Sequence, residues 1–290
     1  MKSYLDIVNY VFENGIKKED RTGTGTTAVA GAMFKHNMAD GFPLLTTKKV
    51  PYRLVASELE FFIKGLTDKQ WLIDRNNHIW DEWCSTEKVP YGHDEATKKK
   101  MMEERDLGPI YGWQWRHYGA DYKDYDTDYT GKGFDQLKRV VDMLKKTPYS
   151  RQNVLIAWSP KHANIVVPPF CHYGFQVTVL DGKLNLMWNQ RSVDIALGLP
   201  FNIASYATML HLLAKEAGLE EGLLVGFLGD THFYSNHEEG LKEQLSRDPN
   251  KYKLPKLETE NFTSIFDWTY TDSKVVGYES YPRIKFDIAV

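Results

Sequence analysis

Hydrophobic spacing divides the chain into alternating short helices and strands. Tyr4, Ile7, Val8 and Val11 recur at helical intervals over Tyr4 to Phe12, and Asn14-Gly15 supplies a stop. The helical pattern returns from Tyr52 to Lys64, ending at Gly65, and from Phe134 to Lys146, ahead of Pro148. Asn202 to Ala217, closed by Gly218, predicts the longest buried helix, and His237 to Leu245 another. Strand patterns occupy Ala28 to Phe34, Asn153 to Trp158 and Leu223 to Leu228. Gly174 to Leu180 and Lys183 to Trp188 flank Asp181-Gly182, a dipeptide suited to a two-residue hairpin turn. Asn76 to Trp83 sets Trp80 and Trp83 three residues apart, the spacing of one helical face. The charged stretch from Glu87 to Arg105 reads as a solvated insertion, and the tail from Lys251 mixes short strands with turns. With no repeat, low-complexity tract or linker, one α+β domain over residues 1–290 is expected, with a surface insertion near 84–105.

Composition narrows the chemistry. The 290 residues are 42% apolar and 26% charged, enough for a sizeable core under a wet surface. A formal charge of -3 gives no support for a nucleic-acid track, so no obligate nucleic-acid partner is expected, although arginines can still gather around one phosphate. Cys84 and Cys171 are too few for a disulfide framework and lack metal-ligand spacing, so a reducing, cytoplasmic compartment and no metal are expected. The N-terminus lacks a secretory pattern, and no apolar run of about 18 residues suggests a membrane span.

Candidate chemistry gathers between Val167 and Tyr206. Cys171 stands beside His172 at the entrance to a strand; a free cysteine is commonly a buried hydrophobe, but Arg191, if it faces Cys171 across the hairpin, would favour the thiolate. Arg21 in the glycine-rich RTGTGTT loop, Arg151 at a strand start and Arg191 would make a phosphate site if they converge, and are surface residues if they do not. Asn202 could read a planar amide edge or simply cap its helix. Glu58, flanked by apolar faces, is either solvent-facing or a proton-handling acid with a raised pKa. Asp230 and His232 are available to a triad, but no spacing supports one, and the zinc-deaminase signature is missing.

The motifs DRTGTGT (20–26), GFPLLTTKK (41–49), NNHIWDEW (76–83), LGPIYGWQWRHYG (107–119), Cys171-His172, QRSVDIALGLPFNIASYA (190–207) and GDTHFYSNH (229–237) occur in one order over nearly the full length, and in this the chain closely resembles the thymidylate synthase family. The resemblance implies a homodimer of back-to-back twisted mixed sheets covered by helices. It implies methyl transfer to dUMP from 5,10-methylenetetrahydrofolate, with dTMP and dihydrofolate as products. On the matching motifs Cys171 resembles the nucleophile, with Tyr111 beside it, and Glu58, His172 and Gln190 resemble the groups that manage protons and water. Arg21, Arg191 and Ser192 resemble phosphate ligands, with Arg151 reaching in from the other subunit. Asn202 resembles the reader of the uracil edge, and His232 with Tyr234 the pair on the deoxyribose. Trp80, Trp83, Asp194, Leu197, Gly198, Phe201 and, in the closing tail, Ala289 resemble the folate side of the site.

The chain departs from the family pattern at Gln152, Phe170, Asn189, Ser280 and Tyr281. The related dUMP or dCMP hydroxymethylases, in which water replaces hydride, are the alternative. Asn202 speaks for uracil over cytosine, and Trp80 with the full tail for hydride transfer. Binding without turnover is a third reading, since resemblance does not by itself establish chemistry.

Overall fold

The computed structural model describes residues 1–20 and 23–288. In chain order it contains α1 (Lys2–Asn14), β1 (Ile16–Lys18), β2 (Thr26–Asn37), α2 (Tyr52–Ile63), α3 (Gln70–Ile73), α4 (Glu95–Glu103), α5 (Tyr111–His117), α6 (Gln136–Lys146), β3 (Val154–Ile156), β4 (His172–Leu180), β5 (Lys183–Asp194), α7 (Gly198–Ala217), β6 (Glu220–Tyr234), α8 (Glu238–Leu245), β7 (Lys256–Thr259) and β8 (Ser273–Val276). Among the described residues six strands form one sheet in the order β1-β2-β6-β5-β4-β3, in which β5 and β6 are parallel and the other neighbours antiparallel, so the sheet is mixed. β7 and β8 pair as a separate antiparallel ribbon. The expected α+β class is borne out.

Period-two alternation gives this sheet two different faces. Phe34, Leu228, Trp188, Phe175 and Leu155 are buried beneath the helices, with α7 lying against β5 and β6. On the opposite face the cross-strand register aligns Met33, Phe227, Asn189, Gly174 and Ile156 in one row. Met33, Phe227 and Ile156 are exposed there. The departure at Asn189 therefore lies on the open face. Close contact under the helices depends on glycine at two points. A Cβ on Gly226 would stand 2.4 Å from the Trp188 indole, and one on Gly112 would stand 2.3 Å from the Phe62 carbonyl oxygen, where α5 crosses α2.

The hairpin forms as the dipeptide predicts, with Asp181 and Gly182 both at positive φ (49° and 73°). Two expectations change, and the charged insertion, although open to solvent at most positions, is anchored at one of them. The stretch carrying Trp80 and Trp83 is a series of turns instead of a helix: Asn76 is left-handed (φ 52°), and the Asn77 side chain bonds the Leu54 carbonyl and the Ile79 N–H in place of a helical ladder. The longest helix opens at Gly198, four residues before Asn202, so Asn202 is not its cap. The charged insertion is tied inward: α4 buries Met101, and the buried Lys69 ammonium donates to the carbonyls of Asp81 (2.7 Å), Trp83 (3.0 Å) and Met101 (2.7 Å). Among the described residues no helix is long and apolar enough to cross a membrane.

Candidate active site

The strand directions assemble the site. β4 begins where β5 and β6 end, so His172 pairs with Gln190, Ser192 with Asp230 and Asp194 with His232 along one rim of the sheet. A bulge between His172 and Gly174 lets His172 and Phe175 both turn toward the helices. α7 starts four residues after Asp194, which brings Leu197, Gly198, Phe201 and Asn202 over the same rim.

Cys171 is half-buried and held by its backbone. Its N–H donates to the Tyr111 hydroxyl oxygen at 2.8 Å, and its carbonyl accepts from Arg191 N–H at 2.8 Å. The Arg191 guanidinium donates from Nε to the Phe170 carbonyl and from Nη2 to that of Pro169, each at 2.9 Å. Arg191 thus braces the backbone that carries Cys171, and the Cys171 thiol itself donates to the Pro169 carbonyl at 3.5 Å. Phe170, where the sequence departs from the family, is buried edge-on to Tyr111, with ring centres 5.5 Å apart. His172 stacks on Tyr111 at 4.2 Å and meets the Tyr206 hydroxyl at 2.9 Å through Nδ1. Burial pushes the pKa of His172 down to about 3, so the imidazole is neutral at physiological pH. Burial, with the Cys171 charge beside it, raises Tyr111 well above its ordinary range and keeps it protonated.

A chain of side-chain contacts fixes Asn202. Trp188 Nε1–H donates to Gln190 Oε1 at 3.1 Å, and Gln190 Nε2 donates to Asn202 Oδ1 at 2.9 Å. The orientation of Asn202 follows from this, because its oxygen must face Gln190 and its NH2 must point away. Trp188 stacks on Tyr206 with centres 5.3 Å apart, so the supports of His172 and Asn202 share one buried aromatic pair. Sequence reading missed both rings, although Tyr206 stands one helical turn after Asn202 and Trp188 two residues before Gln190.

Glu58 accepts a hydrogen bond from Trp80 Nε1 at 2.7 Å. Enclosure of the carboxyl group raises its pKa from an ordinary 4.5 to about 7, against the lowering effect of that bond. Glu58 as a whole is half-buried, with its carboxyl group turned to the Trp80 indole. Asp194 Oδ1 accepts from the N–H groups of Ala196 (2.8 Å) and Leu197 (3.2 Å), which shapes the turn into α7. Trp83, Leu197 and Phe201 pack against the core with part of their surface open. His232 Nδ1 contacts Asp230 Oδ1 at 2.9 Å, while Asp230 also pairs with Lys18. The strand order puts β5 between His232 and Cys171, so these residues are not laid out as a triad.

Not every candidate arrives. Arg21 and Ala289 lie outside the described residues. Arg151 is exposed before β3, and its carbonyl accepts from Gln176 Nε2 at 3.2 Å, five residues along the chain from Cys171, or roughly 16 Å at the strand rise. Gln152 is held by Arg139, which donates from Nη1 to its carbonyl at 2.8 Å. Among the described residues no cluster of three His, Cys, Asp or Glu side chains could hold a metal ion.

A restrained thiol, a neutral imidazole, an acid with a raised pKa and an oriented amide meet near one rim of a mixed sheet, the kind of constellation that marks a candidate enzyme site. A family model described as thymidylate synthase matches residues 2–290, and the chain belongs to the thymidylate synthase family. It is 44% identical over 287 residues to the bifunctional dihydrofolate reductase-thymidylate synthase of Paramecium tetraurelia. The match covers 99% of this chain and 61% of that relative, so the chain spans less than two thirds of the relative's length.

Proposed function

We propose that the chain catalyses reductive methylation of dUMP to dTMP, with 5,10-methylenetetrahydrofolate as cosubstrate and dihydrofolate as second product. The observation that carries this reading is the amide chain from Trp188 through Gln190 to Asn202. It turns the Asn202 NH2 outward as a donor for a ring carbonyl, while the second lone pair of Oδ1 can accept an adjacent ring N–H. That donor-acceptor order matches the O4 and N3–H edge of uracil and mismatches cytosine, whose amino group and bare N3 would leave buried groups unpaired.

Cys171 Sγ adds to C6 of the base, and the displaced electron pair moves through C5 toward O4. Asn202 donates to O4 as charge develops there, and Glu58, half-protonated near pH 7, supplies or accepts the proton on that side of the ring. His172, neutral and clamped by Tyr111 and Tyr206, acts as a fixed dipole and does not change charge. Tyr111 holds the Cys171 backbone in place through the addition. The folate supplies the one-carbon unit and then the hydride. Asp194, beside the half-open surface of Trp83, Leu197 and Phe201, presents a carboxylate to the N–H edge of its ring, and Gly198 leaves room for that ring at the start of α7.

Arg191 and Ser192, with Arg21, bind the nucleotide phosphate, and His232 with Tyr234 holds the sugar hydroxyl. The open sheet face supports a homodimer, because Met33, Phe227 and Ile156 are apolar, exposed and in one cross-strand row, with exposed Val154 two residues before Ile156 on β3. In such a dimer Arg151 serves the partner's phosphate site, which accounts for its distance from Cys171 in its own subunit. Incubation of the protein with dUMP and 5,10-methylenetetrahydrofolate tests the reading: dTMP and dihydrofolate form in equal amounts, and Cys171→Ala abolishes both. Formation of 5-hydroxymethyl-dUMP, or no product from the native chain, refutes it.

A further inference from the structure

His237 belongs to none of the groups assigned above, yet it touches three parts of the molecule at once. Its side chain is fully buried at the start of α8. Nε2 lies 2.7 Å from the backbone carbonyl of Asp287 in the C-terminal segment, and the ring meets Phe286 edge-on with centres 5.1 Å apart. On another side the ring is edge-on to Tyr234 at 5.6 Å. Nδ1 has no hydrogen-bond partner among the described residues and lies 3.8 Å from Asp194 Oδ1.

Chemistry fixes how the ring is used. A carbonyl can only accept, so the Nε2 proton is committed to Asp287, and Nδ1 is the nitrogen that faces the Asp194 carboxylate. The C-terminal segment is closely seated on the same spot. Phe286 is buried between the His237 ring and the Lys48 ammonium, which lies 4.6 Å from the Phe286 ring centre and donates to the Ala196 carbonyl. A Cβ on Gly240 would come within 2.6 Å of Phe286, so α8 accepts this ring only because a glycine stands there. Both His237 and Lys48 thus join the turn that follows Asp194 to the segment at 286–287.

We propose that His237 is a positioning residue that couples seating of the C-terminal segment to folate recognition at Asp194. The inference rests on the folate reading of Asp194, and it adds a residue that acts on that carboxylate and on the tail together. Displacing the tail releases the Nε2 bond and frees the ring to move against Asp194, and a shift of Asp194 on folate binding is felt by the tail through the same ring. Thermodynamic coupling of this kind is reciprocal.

The test measures dihydrofolate binding by calorimetry in the presence of dUMP, which needs no turnover. His237→Phe keeps the ring packing and removes both nitrogens, and it weakens dihydrofolate binding about tenfold, the effect of one well-made hydrogen bond. It leaves the Kd for dUMP alone within about twofold, a change too small to count as a lost contact. His237→Gln, which can again reach the Asp287 carbonyl with an N–H, recovers most of the loss. In a chain truncated after Lys285, His237→Phe produces no further weakening, because the residue acts through the segment that is gone. Equal weakening in full-length and truncated chains, or unchanged dihydrofolate binding, overturns the proposal. Should His237→Phe fail to fold, Phe286→Ala removes the same contact from the tail side and must show the same selective loss of dihydrofolate binding; unchanged binding overturns the proposal equally. A native chain that makes no dTMP refutes the functional reading separately, since binding and turnover are read in different assays.

Discussion

Replacement of Glu58 by glutamine isolates one half-buried, enclosed carboxyl group. Gln is nearly isosteric and retains an oxygen for the Trp80 Nε1–H, so the packing and the 2.7 Å contact can persist while the titration disappears. The folded-state pKa is raised from 4.5 to about 7, which means that the folded protein holds this proton more tightly than the unfolded chain does. Stability from this group is therefore fully present below about pH 4.5 and is lost as pH rises through about 7. At about 1.4 kcal/mol for each tenfold change in proton affinity, the loss amounts to about 3 kcal/mol. All other ionisable groups are common to the two proteins and cancel in the difference. Urea unfolding of native and Glu58→Gln protein, at one fixed protein concentration from about pH 4 to about pH 9, reads the effect directly. The variant gains on the native chain across the interval between the two pKa values, ends about 3 kcal/mol ahead and stays there at higher pH. A difference that stays flat across the whole range would falsify the claim that the carboxyl group is desolvated. On the proposed reading the same variant also loses dTMP formation, which a product assay on native and Glu58→Gln protein checks.

Trp80→Phe removes the donor that lowers the Glu58 pKa, so the limb of the kcat/KM profile that reports Glu58 moves to higher pH; an unmoved limb separates the profile from this carboxyl group. Asn202→Asp replaces the outward NH2 with an acceptor, and dUMP binding weakens by about tenfold to a hundredfold while dCMP binding strengthens, as equilibrium binding would show. Cys171→Ala and Arg151→Ala are each inactive alone, whereas refolding the two together restores activity through mixed dimers with one intact site. No recovery on mixing would argue against sharing of Arg151 between subunits.

Much of the architecture is written in local patterns. Asp181-Gly182 specifies its hairpin because both residues tolerate positive φ, and α2 and α6 follow their apolar spacing closely. Local pattern fails where a distant partner decides. Gly198 and Pro200 look like helix breakers, yet they form the first turn of α7, where proline needs no N–H partner and Asp194 bonds the turn that leads in. α5 escapes notice because Gly112 weakens its helical pattern, although that glycine is what lets α5 approach Phe62. At the site, residue types leave Cys171, Asn202 and Glu58 open between structural and chemical roles, and the family motifs mark them as candidates. What holds them is long-range: the Tyr206 hydroxyl on His172, the Trp80 indole on Glu58 and the guanidinium of Arg191 on the Pro169 and Phe170 carbonyls. The contact of His237 with Asp287 spans fifty positions and leaves no periodic trace.

The Trp188–Tyr206 stack has an implication for how this protein can change. One ring aims the Gln190–Asn202 amide pair, and the other holds the His172 imidazole beside Cys171, so on the proposed reading ligand choice is anchored among fully packed side chains. Trp188→Phe would fill nearly the same space and leave the fold standing, but it would free Gln190 to rotate and Asn202 with it. Such a substitution would pass for a silent core replacement in a stability screen and emerge as a loss of pyrimidine discrimination, which places the inheritance of substrate choice in residues that never touch the substrate.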